Sequence, residues 1–249
     1  DALVTGNTYV TINGGIVKED VYGGGQYGGR SDGEPDDDEQ NVNAMVIGTT
    51  NVVIADGQVN GNVYGGGYSC NVKGGANVTL TGGTVLGKVY AGGNTTEEGK
   101  PGEEEIEKVP ALVIGEANVL LAGNPKVDSP EGGIVMRSVQ YPSKEEHILT
   151  ICGALNEAQV NLIYDNQIGN GAKIAYSSNV EFLTAYTGKL NAKPGIQNGC
   201  HMVTKGNHIE LSDMYEITVD FCGGKNGTMS YELQYNTSLR DVIKTQIRD

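Results

Sequence analysis

The chain has 249 residues, 38 of them glycine and 22 asparagine, with no tryptophan and a formal net charge of −14. Glycine at about twice its usual frequency excludes a helical bundle, where each interior glycine costs on the order of 1 kcal/mol, and its lack of a three-residue period excludes collagen. Seventeen basic residues against 31 acidic ones disfavour nucleic acid as a partner and oppose attraction to anionic lipid.

No stretch approaches the eighteen or so apolar residues of a spanning helix, so no membrane insertion is expected within this chain. The sequence opens at Asp1 without a charged-then-apolar leader and reads as a mature or excised fragment of a larger protein. Cys70, Cys152, Cys200 and Cys222 allow three pairings and form no C-x-x-C pair. Buried or half-buried free thiols are the plain reading, and the compartment stays open on this ground.

A repeat governs the first half. A small residue is followed two positions on by Val, two further by Gly, and four further by V-x-[I/L]. The copies begin at Ala2, Ala44, Cys70 and Ala111, and their strands are Val10-Thr11-Ile12, Val52-Val53-Ile54, Val78-Thr79-Leu80 and Val119-Leu120-Leu121. Three copies continue without a gap to Val21-Tyr22-Gly23-Gly24-Gly25, Val63-Tyr64-Gly65-Gly66-Gly67 and Val89-Tyr90-Ala91-Gly92-Gly93. The shortest spacing is 26 residues; the other two carry insertions after the triplet, about Gln26 to Asn43 and Asn94 to Pro110, which should leave the fold at one corner.

Each strand has two or three apolar positions at period two, too few to bury a face alone, and no segment shows helical periodicity. A propeller blade needs about 40 residues. Stacking each repeat as one coil of a parallel β-solenoid is the remaining solution, with Val and Ile inward and Gly and Asn at corners that need positive φ. Tyr22, Tyr64 and Tyr90 then form a ladder. After Gly123 the spacing becomes irregular, but Ile134-Val135-Met136, Ile148 to Ile151, Val160 to Tyr164 and His208 to Leu211 repeat the same material, as late coils and a cap would. From Tyr215 to Phe221 the chain alternates cleanly, Gly223-Gly224 turns, and Ser238 to Ile247 reads as a short helix with Ser238 as its N-cap.

The recurrent V-T-I-x-G-G-x-V…V-Y-G-G-G pattern resembles the right-handed parallel β-helix regions of large secreted or surface proteins of gut anaerobes, closely over 2–123 and loosely over 131–211. The stretch Tyr215-Glu216-Ile217-Thr218-Val219-Asp220-Phe221-Cys222-Gly223-Gly224 resembles the opening of the Listeria–Bacteroides repeat, a small β-grasp-like module of adhesins. Both resemblances imply an extracellular setting on a bacterial cell surface, and neither carries a catalytic motif onto residues of this chain.

The expected architecture is all-β. Residues 1–211 are assigned to a right-handed parallel β-helix, with regular repeats over 2–123 and irregular coils and a cap over 124–211. Residues 212–249 are assigned to a β-rich module. Asp36, Asp37 and Asp38 in one insertion and Glu103, Glu104 and Glu105 in the other are candidate Ca²⁺ ligands, against the plainer reading of a solvated acidic loop, since no D-x-[DN]-x-[DN]-G loop is present. No other cofactor is expected. Tyr27 and Tyr68, just beyond their glycine triplets, are candidates for stacking against a ligand.

Gly23-x-Gly25-x-x-Gly28 matches a dinucleotide fingerprint but lacks a following helix. Cys200-His201 with His208 fits no zinc spacing. The outward positions Thr11, Val53, Thr79 and Leu120 do not titrate, and none of Arg30, Arg137, Arg240 and Arg248 lies in a repeated strand, so no catalytic residues are assigned. The expected function is a non-catalytic stalk or adhesin region binding glycan or a host surface protein through its insertion loops. One alternative is a carbohydrate-active β-helix enzyme, such as a polysaccharide lyase or hydrolase, or its substrate-binding domain. A second is a structural spacer.

Overall fold

The structure, a computed structural model, describes residues 3–25, 45–68, 70–94, 96–97, 108–109, 111–136, 149–164, 167–184, 186–193, 195–220 and 228–238. It is all-β, built on large and mostly parallel sheets. Copy one of the repeat gives β1 (Leu3–Val4), β2 (Thr8–Val17) and β3 (Val21–Tyr22); copy two gives β4 (Met45–Val46), β5 (Thr50–Val59) and β6 (Val63–Tyr64). Copy three gives β7 (Asn71–Val72), β8 (Ala76–Leu80), β9 (Thr84–Val85) and β10 (Lys88–Tyr90). The second insertion opens and closes with β11 (Thr96–Glu97) and β12 (Lys108–Val109), an antiparallel pair. Then come β13 (Ala117–Gly123), β14 (Lys126–Val127), β15 (Gly133–Val135), β16 (Leu149–Leu155), β17 (Gln159–Ile163), β18 (Lys173–Tyr176), β19 (Leu190–Lys193), β20 (His201–Lys205), β21 (His208–Ser212), β22 (Met214–Asp220) and β23 (Thr228–Gln234).

Equivalent residues of successive copies pair in parallel. Val10 lies beside Val52, Val52 beside Val78, and Val78 beside Val119. Val21, Val63 and Val89 pair in the same way, and Val4, Val46 and Val72 form a further ladder that Val113 extends. Side chains alternate across each strand, so one set points inward: Val52, Ile54, Val78, Leu80 and Leu121 are fully buried, and β8 reads buried and half-buried in strict alternation. Each such side chain contributes about 1.5–3 kcal/mol by leaving water. The stacking continues where the spacing is irregular: Thr84, Lys126 and Gln159 share one row, and Ile134, Leu162 and Ala192 another.

Glycine has two roles in the repeat. In the triplets none of Gly23, Gly65, Gly66 and Gly67 adopts positive φ. They allow stacked backbones to approach, since a Cβ on Gly65 would overlap the Ala91 carbonyl oxygen and one on Gly66 would lie 2.7 Å from the Gly93 nitrogen. At the bend after the V-x-[I/L] strand glycine adopts the positive φ expected of a corner, as at Gly57 (φ 85°). The expectation for asparagine is corrected: Asn236 is the one non-glycine residue with positive φ among the described residues. Asparagines within the strands bridge copies instead: Asn77 Nδ2 donates to Asn51 Oδ1 at 3.2 Å, Asn118 Nδ2 to Asn77 Oδ1 at 3.3 Å, and Asn71 Oδ1 accepts from the Leu112 N–H at 2.9 Å.

The parallel arrangement ends at β18 and β19. β21 returns antiparallel to β18 and pairs antiparallel with β20. β22 and β23 form a separate antiparallel hairpin tied back by the Tyr215 hydroxyl, which donates to the Gly199 carbonyl at 3.0 Å. The first residue of the expected C-terminal helix, Ser238, is described without helical structure; the rest lies outside the described residues.

Candidate functional site: the tyrosine corner

Tyr22, Tyr64 and Tyr90 occupy one row because each follows the inward Val of β3, β6 or β10. Their rings stack at 4.9 and 4.8 Å between centroids, 3° and 5° from parallel. Tyr64, between the other two, is buried, and Tyr22 and Tyr90 are half-buried. Tyr68 stands 5.5 Å from Tyr22 with its plane turned by 82°. Backbone pairing places it there: the Tyr68 N–H donates to the Gly25 carbonyl at 3.0 Å, and Tyr68 bridges in parallel to Asn94.

Polar groups line the ring edges. The Tyr22 hydroxyl donates to Asp20 Oδ2 at 3.0 Å and accepts from Asn94 Nδ2 at 3.4 Å. Asp20 Oδ1 is held by the Asn62 N–H at 2.6 Å, and Asn62 Nδ2 donates to the Tyr64 hydroxyl at 3.3 Å. Burial pushes the Tyr22 phenol up to about 12, with the Asp20 carboxylate adding to the rise and the Asn94 hydrogen bond opposing it. Burial raises Tyr64 and Tyr90 as well. The ladder is therefore a row of neutral phenols at ordinary pH.

Gly25 is the last described residue before the first insertion, and Asn94 stands where the second begins. The Asn94 N–H donates to the Gly67 carbonyl at 2.8 Å, so both insertions leave beside Tyr68, at one corner. Tyr68 aligns with Asn94 in this register, and with Gln26 by counting from the triplets, so Tyr27 is not its counterpart. Tyr27, Asp36, Asp37, Asp38, Glu103, Glu104 and Glu105 lie outside the described residues. Asp20 and Asn94 were not singled out from sequence, although Asp20 and Asn62 hold the same place before V-Y in two copies.

Glu157 and Glu181 are exposed, and Glu210 pairs with Lys205 at 2.9 Å. His201 stacks on Tyr215 at 4.5 Å, and His208 lies against Tyr176 at 5.4 Å. Cys70, Cys152 and Cys200 are free thiols. Among the described residues no three His, Cys, Asp or Glu side chains converge as metal ligands, and no helix is long and apolar enough to cross a membrane. Asp165 and the four arginines lie outside the described residues. Comparison with protein-family models, curated proteins and solved structures gave no match.

Proposed function

We propose that residues 1–211 form a right-handed parallel β-helix that serves as a non-catalytic stalk or adhesin region on a bacterial cell surface, holding glycan or a host surface protein at its insertion-bearing corner. The observation that carries this reading is the meeting of both insertions and a tyrosine cluster at one corner of a regular parallel stack, because loops on a rigid scaffold are where binding concentrates. Right-handedness follows the general rule for parallel crossovers. The surface setting rests on the resemblance of the repeat and of residues 215–224 to surface proteins.

The test is a panel of pectins, plant glucans, mucin and matrix proteins, each with calcium and with chelator, scored for retention and product release. Retention without product is the expected result, and a loss of retention in chelator assigns Ca²⁺ to the acidic loops. Release of product overturns the reading in favour of a carbohydrate-active enzyme. No retention in any arm overturns it in favour of a spacer.

A further inference from the structure

Among the described residues β3 ends its sheet, pairing with β6 on one side and with no strand on the other. Tyr22 is therefore the terminal ring of the ladder: one face is covered by Tyr64, and no fourth ladder tyrosine covers the other among the described residues. Tyr68 meets Tyr22 edge-on, their centroids 5.5 Å apart and their planes at 82°. Asp20 and Asn94 stand at its rim, both already oriented by hydrogen bonds to the Tyr22 hydroxyl. A flat apolar ring face bordered by a fixed carboxylate and a fixed amide suits a pyranose, whose axial C–H groups form a flat patch ringed by hydroxyls.

We propose that Tyr22, Tyr68, Asp20 and Asn94 form a subsite for one ring of a neutral β-linked hexopyranose chain, stacked on the face of Tyr22 that Tyr64 does not cover. The charge selects the class. Asp20 is in the site, Glu19 precedes it, and the chain has a net charge of −14, so uronic, sulfated and sialylated sugars are repelled. Asp20 and Asn94 accept from and donate to the ring hydroxyls, and the perpendicular Tyr68 limits which way the sugar chain leaves. This subsite deepens the glycan-binding reading above and rests on it.

The experiment titrates the full chain with cellohexaose, with a β-1,4-galactohexaose, and with polygalacturonate. It is read by tyrosine fluorescence, which is the whole intrinsic emission because tryptophan is absent, and by calorimetry. Saturable binding of a neutral oligomer and none of polygalacturonate is expected. Tyr22→Ala should weaken binding about tenfold, Tyr22→Phe less than that because the ring face remains, and Tyr9→Ala, which alters an exposed tyrosine of β2, not at all. Unchanged melting temperatures separate lost binding from lost fold. No binding of either neutral oligomer, equal binding of polygalacturonate, or full binding by Tyr22→Ala overturns the subsite. Retention of a panel glycan or host protein by Tyr22→Ala, undiminished, overturns the subsite while leaving the adhesin reading intact.

Discussion

Gly65 and Gly6 are both repeat glycines without positive φ, yet they do different work. A Cβ on Gly65 would overlap the Ala91 carbonyl oxygen of the next copy, whereas one on Gly6 would meet nothing within 4 Å. Gly65→Ala should destabilise by about 1–3 kcal/mol in denaturant unfolding, as overpacking does, and Gly6→Ala should be close to neutral. The ladder tyrosines make a pH prediction. A phenol whose folded pKa is raised gives stability that is whole below its unfolded value of 10 and is lost as pH climbs towards the folded value, about 12 for Tyr22. Unfolding in alkali should therefore set in between pH 10 and 12, with tyrosinate absorbance from the ladder rising in step with loss of β circular dichroism. Titration of every tyrosine near 10 in a still-folded protein would contradict it.

At the scale of elements, the connections between copies are the variable part. Copy two reaches copy three through Tyr68, Ser69 and Cys70, between Gly67 and Asn71. Copy one reaches copy two through the 19 residues from Gln26 to Ala44. Replacing Gln26–Ala44 by Tyr-Ser-Cys should leave the melting temperature within a few degrees, because the strands on both sides keep their partners; a drop of 10 °C or more would show that the insertion holds the stack together. The strands of the first half are readable in the sequence because β-branched residues at period two recur at a fixed sixteen-residue run, and the ladder follows from that alignment. The return of β20 and β21 was not readable, since alternation looks alike in parallel and antiparallel strands; His208–Leu211 shows the same pattern as Val160–Ile163. The corner was half readable: Tyr68 carried a signal, whereas Asn94 reaches Tyr22 across 72 residues and Asp20 meets the Asn62 N–H across 42, contacts between copies that no local pattern encodes.

Across the whole molecule, burial is graded along the stack. The inward Val4 of copy one is 40% exposed, against 1% for Val46, and Val10 and Ile12 are partly exposed where Val52 and Ile54 are at 0%. Ile54→Ala should cost about 2–5 kcal/mol and Ile12→Ala clearly less, the gap measuring how much neighbouring copies contribute to each other's stability. Amide exchange should likewise be fastest in β2 and slowest in β5 and β8; uniform protection would point to a single cooperative block. The hydrogen bonds between copies carry a mechanical consequence, because they run along the stacking direction. Tension along that direction loads them one copy at a time, as in opening a zipper, instead of shearing a whole ladder at once. Pulled from the β1 end, the protein should lengthen in unequal steps set by the 42-, 26- and 41-residue spacings, about 150, 90 and 140 Å of released chain. A molecule under flow would then yield length gradually, keeping its later copies folded while the first ones give way.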